Sequence, residues 1–99
     1  MYMVKVSFTW DERKNAENVK KHGVSFAEAA TIFGRLPLEI YDDPEHSEHE
    51  HRYLAVGFSN KARALIVSHT ENQNGTEIRI ISARKATVEE RKAAFGGKI

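Results

Sequence analysis

The rhythm of apolar and polar positions changes twice along this chain. Residues 2–8, from Tyr2 to Phe8, alternate loosely and suit a first strand. The stretch Thr9-Trp10-Asp11-Glu12 then fits a capping box, with the Thr9 hydroxyl taking a free amide and Glu12 reaching back. A mostly polar helix over residues 10–22 follows, whose only interior apolar residues are Ala16 and Val19, so it is expected on the surface. Gly23 should end it, because glycine accepts the left-handed conformation of a helix C-terminus. Ser25 to Glu28 is a second capping box. Phe26, Ala29, Ala30 and Phe33 recur at helical spacing and predict a buried stripe on a helix over 25–33, closed by Gly34.

From Leu36 the helical period is lost. Leu36 to Tyr41 reads as a short extended segment with Pro37 marking an edge or a strand start. Asp42 to Glu50 is an acidic, histidine-containing loop. Arg52 to Phe58, Arg63 to His69 and Thr76 to Ala83 read as strands of a meander, with turns at Ser59 to Lys61 and Asn72 to Gly75. Thr87-Val88-Glu89-Glu90 is a third capping box and opens a short basic helix over 87–95. The order β-α-α-β-β-β-β-α predicts one α+β domain over residues 1–99, with an antiparallel sheet built mainly from residues 50–84. Leu65 and Val67 on one strand face, and Ala64 and Ile66 on the other, make both faces apolar. A sheet with one wet face alternates more cleanly, so both faces should be covered, one by helices and the other partly by a partner chain.

Composition narrows the function classes. The chain has 99 residues, enough for one modest core. It has no cysteine, which excludes disulfides, cysteine-rich zinc sites and thiol nucleophiles. The start lacks the plan of a signal peptide, and no apolar run approaches the roughly 20 residues that cross a bilayer, so a cytoplasmic protein without a membrane role is expected. The net charge of +1 hides an asymmetry: residues 1–50 hold 6 Lys/Arg against 10 Asp/Glu, and residues 51–99 hold 9 against 4. A basic second half can present an anion-binding face.

No phosphate-binding, dinucleotide-binding, zinc-protease or nucleophile-elbow motif is present. What the strands carry instead is Arg52, His69, Glu71, Arg79, Arg84 and Lys85. RNA cleavage without a metal needs a base for the 2′-OH proton, an acid for the leaving 5′ oxygen, and cations for the charge on phosphorus. Histidine and glutamate can supply the first two, and the planar fork of arginine the third. His69 and Glu71 have one parity and should project from one face. Arg79 has the opposite parity to Ile78 and Ile80, while Arg84 shares their face if the strand stays regular. The reading assigns His69 as the leading proton-transfer group, Glu71 as its partner, and Arg79 and Arg84 as phosphate stabilisers. Arg52, Lys85, Arg91 and Lys92 are candidate RNA-backbone contacts. The plain alternative makes His69 a strand-end residue and the arginines solvated edges. His46, His49 and His51 invite a metal, but their spacing is poor for one and a solvated loop or a basic partner fits better. Trp10 could stack on a base, although its place at a helix start favours packing on the sheet.

Six blocks extend the reading: Phe8 to Asn15, Lys21 to Phe26, Asp43-Pro44, Glu50 to Tyr53, His69-Thr70 and Ile78 to Thr87. In order and spacing, over about residues 5–95, they resemble the BrnT family of bacterial type II toxins, which are similar to RelE-type ribonucleases. The departures are the Tyr2 to Val4 extension and the Asn72 to Gly75 turn. The resemblance implies a RelE-like fold and a growth-inhibiting ribonuclease that blocks translation without metal or cofactor. It also implies a tight complex with a BrnA-type antitoxin carrying a ribbon-helix-helix part. That complex, typically two toxins with two antitoxins, would reach operator DNA through the antitoxin and repress its own promoter. A different class stays open beside it, a non-catalytic module that holds the antitoxin on DNA as a co-repressor.

Overall fold

The computed structural model describes residues 5–96. Its elements are β1 (Ser7–Thr9), α1 (Glu12–His22), α2 (Phe26–Ala30), β2 (Leu38–Asp42), β3 (Tyr53–Phe58), β4 (Ala64–Glu71), β5 (Glu77–Lys85) and α3 (Val88–Phe95). Short 3-10 turns follow α2 at Thr31–Gly34 and β2 at Pro44–His46. The expected first strand is present only at its end; part of its predicted span, residues 2–4, lies outside the described residues.

The five strands form one sheet in the order β1-β5-β4-β3-β2. From β2 to β5 all neighbours are antiparallel, but β1 runs parallel to β5, so the sheet is mixed rather than antiparallel throughout. The reason is topological. Parallel neighbours need a long crossover, and everything from α1 to β4 lies between β1 and β5 in the chain.

Helix α1 starts two residues later than its first capping signal. Asp11, not Thr9, is the cap, and its carboxylate accepts from the amides of Arg13 (2.8 Å) and Lys14 (3.2 Å). Those bonds hold the Asp11 carboxyl below the usual carboxylate range. Glu12 turns outward instead and accepts from the Trp10 indole at 2.6 Å. Lys20, Lys21 and His22 occupy the last turn, where positive charge complements the helix dipole. Gly23 follows in the left-handed conformation at φ 70°. Val19 is exposed, and the residue α1 buries is polar: Asn18.

Helix α2 has the expected Ser25 cap, whose hydroxyl accepts from the Glu28 amide at 3.0 Å. The second half of that capping box is absent because the Glu28 carboxylate has stronger partners. It accepts from Ser59 Oγ (2.7 Å) and from Arg63 Nε (2.9 Å), with a second bond from Arg63. The Arg63 guanidinium holds the Glu28 carboxyl below its usual range against the opposing effect of burial. Only the third box, Thr87 with Glu90, is complete.

The core lies between the helices and one sheet face. Val24, Phe26, Ala29 and Ile32 meet Ala55, Leu65, Val67, Ile78, Ile80 and Ala83 there. Trp10 packs edge-on against Phe26, as its position suggests, with ring centres 6.3 Å apart. The other face is only partly covered. Phe95 of α3 stacks on Phe58 at 5.6 Å, and an apolar hollow of about 280 Å³ remains between Leu54, Val56, Ile66 and the helix. No helix among the described residues is long and apolar enough to cross a membrane.

Candidate functional site: the open face of the sheet

Strand β5 carries an irregularity that decides where its arginines go. His69 pairs with Ile80, but Ser68 pairs with Ser82, so Ile81 is an extra residue on β5. A bulge of this kind re-aims every side chain beyond it, because strand side chains alternate with period two. Arg79, opposite Thr70, lies on the open face; past the bulge, Ser82 opposite Ser68 and Arg84 opposite Ile66 lie on that face too. In a regular strand Arg79 and Arg84 would point to opposite sides. The bulge brings them to one.

The same geometry divides the four expected catalytic residues. His69 and Glu71 share a face as their parity predicts, and His69 Nε2 is 3.0 Å from Glu71 Oε2. Their cross-strand partners are Ile80 and Ile78, so this is the helix-covered face. His69 is 0% exposed, stacked on Tyr53 (5.5 Å) and edge-on to Phe33 (4.9 Å). An ionised carboxylate only accepts, so Nε2 carries the hydrogen; Nδ1 is buried with no partner among the described residues. The sheet therefore stands between His69 with Glu71 on one side and Arg79 with Arg84 on the other.

The arginines differ in how free they are. Arg79 is half exposed and faces Glu50 at 3.6 Å, a surface pair of small energetic consequence. Arg84 makes a two-pronged ion pair with Glu90 of α3, Nη1 to Oε1 at 2.8 Å and Nη2 to Oε2 at 2.7 Å. Arg84 and the Thr87 amide together pull the Glu90 carboxyl down to about 2, and the Arg84 guanidinium is raised in turn. Arg84 thus anchors α3 as well as facing the open groove.

The expected RNA contacts scatter. Lys85 is paired with Leu65 and so belongs to the helix-side face, at its exposed end. Arg91 and Lys92 stand on α3, Lys92 exposed and Arg91 half-buried. Arg52 lines a hollow with Glu45, His46, Glu48, His49 and Glu50, an acidic setting for an RNA contact. In that loop His46 bonds Asp43 (3.0 Å) and His51 bonds Asp42 (2.8 Å). The two histidines are engaged separately, and no cluster of three or more potential ligands suited to a metal occurs among the described residues.

The remaining wall of the groove carries no motif in the sequence. A hollow of about 290 Å³ on the open face is lined by His22, Leu54, Ile66, Ser68, Ser82, Ala83 and Arg84. A second, of about 240 Å³, shares His22 and Ser82 and adds Lys14, Glu17, Asn18 and Lys21 from α1. Asn18 makes this possible. Its Nδ2 donates to the carbonyls of Val24 and Ala83 (2.8 Å each), and its Oδ1 accepts from the Ala83 amide (3.1 Å). The side chain stands in for a neighbouring strand at Ala83 and fixes the end of α1 against the bulged part of β5. A buried asparagine on an otherwise polar helix leaves no periodic signal in the sequence.

The chain is thus an α+β domain with a mixed five-stranded sheet, one face packed under helices and the other grooved and bearing Arg79 and Arg84. A family model described as the ribonuclease toxin BrnT of type II toxin-antitoxin systems matches residues 10–90, and the chain belongs to that family. The crystal structure of the Brucella abortus ribonuclease toxin BrnT is similar in fold, with a TM-score of 0.60 and 24% identity over 84% of this chain and 99% of that one. No curated protein matches the chain.

Proposed function

We propose that this toxin is an endoribonuclease whose RNA lies on the open sheet face. The observation that carries the reading is the β5 bulge, which turns Arg79 and Arg84 to the same side of the sheet, where Arg84 lines a groove. Arg79, with the freer guanidinium, is the main stabiliser of the crowded phosphate, and Arg84 supports it from the Glu90 anchor. His69 and Glu71 belong to the scaffold: the enclosed imidazole has no path to a 2′-OH, and it sits beside the bulge that aims the arginines. Cleavage proceeds through attack of the 2′ oxygen, without metal, and its effect in the cell is to block translation, as in RelE-like toxins. The natural inhibitor is a BrnA-type antitoxin in a complex of two toxins and two antitoxins, which reaches operator DNA through the antitoxin. The apolar hollow beside α3, with exposed Tyr41 and half-buried Leu54 at its lining, supplies surface for such a partner, for which a stable interface buries more than about 1,000 Å² in total.

The test is cleavage of a defined RNA by the purified chain in EDTA. The expected products end in a 2′,3′-cyclic phosphate and a 5′-hydroxyl. Arg79→Ala should lower the rate by about 100-fold or more while circular dichroism stays unchanged. Full activity in Arg79→Ala would remove the open face as the site, and strict dependence on added metal would remove the mechanism. A chain that cleaves nothing yet tightens antitoxin binding to DNA would leave the co-repressor reading.

A further inference from the structure

We propose that His22 is the proton-transfer residue of the open-face groove, a role that rests on the reading of that face as the RNA-cleaving site. Of the five histidines, His46, His51 and His69 are each bonded to a carboxylate. His49 lines the acidic loop hollow with Arg52 and with Glu50, which faces Arg79, and does not line the groove of Arg84. His22 alone shares a cavity with Arg84 and with the hydroxyls of Ser68 and Ser82. Its ring is half-buried and makes no hydrogen bond or ion pair among the described residues, so nothing in the fold occupies its nitrogens.

The surroundings fit a nucleotide. The two hollows that meet at His22 and Ser82 together reach the size of small-ligand pockets, about 300–1,000 Å³. Leu54 and Ile66 give an apolar floor for a base, while Lys14 and Lys21 stand beside His22 where the backbone would leave the groove. Position is rigidly set, because Asn18, one helical turn before His22, is bonded to both Val24 and Ala83. In the reaction the neutral imidazole takes the 2′-OH proton, the 2′ oxygen bonds to phosphorus, and the bond from phosphorus to the 5′ oxygen breaks. The leaving oxygen takes a proton from water on the open side, and the imidazolium returns its own to solvent.

The experiment compares wild type, His22→Gln, His22→Ala and Arg79→Ala on a defined RNA across pH. Binding of a 2′-deoxy RNA that cannot be cleaved is measured alongside. Both His22 variants are expected to lose about 100- to 10,000-fold in rate, to lose the ascending limb of the pH–rate profile, and to bind the uncleavable RNA within about threefold of wild type. Wild-type rates in the His22 variants with loss in Arg79→Ala would overturn the role of His22 and leave the open-face reading standing. Wild-type rates in all three would overturn the reading itself. Equal losses of binding and rate, or failure of both His22 variants to fold, would make His22 a binding or structural residue and overturn the proposal.

Discussion

Replacing Asn18 by alanine removes three buried hydrogen bonds at one point, where α1 meets the bulged end of β5. The Ala83 amide loses the acceptor that Asn18 gives it, and the carbonyls of Val24 and Ala83 each lose a donor. An orphaned buried polar group costs about 1–3 kcal/mol, and all three fall at the lower end, the carbonyls because each keeps a second lone pair and the amide because the volume that Asn18 vacates admits water. The expected loss is about 3 kcal/mol, a large part of the roughly 5–15 kcal/mol that holds a domain together. For a chain of this length each kcal/mol moves Tm by about 4–8 °C, so a fall of about 12–24 °C is expected. Urea titration followed by Trp10 fluorescence measures it, Trp10 being the only tryptophan and packed on Phe26. Asn18→Asp separates hydrogen bonding from volume. It keeps the size but points a second carboxylate oxygen at two carbonyls, and should be at least as damaging as alanine. A loss under about 1 kcal/mol in Asn18→Ala, or a wild-type midpoint in Asn18→Asp, would refute the idea that this side chain replaces a strand.

Two further outcomes follow from the geometry. The Glu90 carboxyl is pulled from its ordinary 4.5 to about 2 in the folded chain, so its contribution is complete above about 4.5 and disappears as pH falls toward 2. The stability gap between wild type and Glu90→Gln should therefore close over that window and shrink in high salt, since both partners are partly exposed; a gap constant with pH would contradict the ion pair as its source. Gly57→Ala would place a Cβ 3.2 Å from both Ile32 Cβ and Leu38 Cδ1. Overpacking of this kind costs about 1–3 kcal/mol, read as a lower urea midpoint, and an unchanged or higher midpoint would show that the 3-10 turn yields.

Sequence alone determined the local structure wherever the decision was local. Apolar period, the Ser25 and Thr87 caps and Gly23 suffice for three helices and a meander, because capping and amphipathicity act within a few residues. The family-bearing blocks are equally local, and the family model matches residues 10–90. Even so, Asp11 displaced Thr9 as a cap by offering a carboxylate to two amides, and Arg63, 35 residues away, took Glu28 from its box. Pairing was not local. The short β1 settled parallel to β5 because the intervening elements form a crossover, which no pattern in residues 7–9 records. The site was least legible of all. One unpaired residue, Ile81, reverses the parity of β5, so Arg84 moves to the face of Arg79 while His69 and Glu71 remain under the helices. A bulge leaves no compositional mark, and the approach of His22 to Arg84 depends on a single buried asparagine bonding across 65 residues of chain. Residue types could therefore supply the chemistry on offer, but only the pairing register and the docking of α1 decided which groups share a side of the sheet.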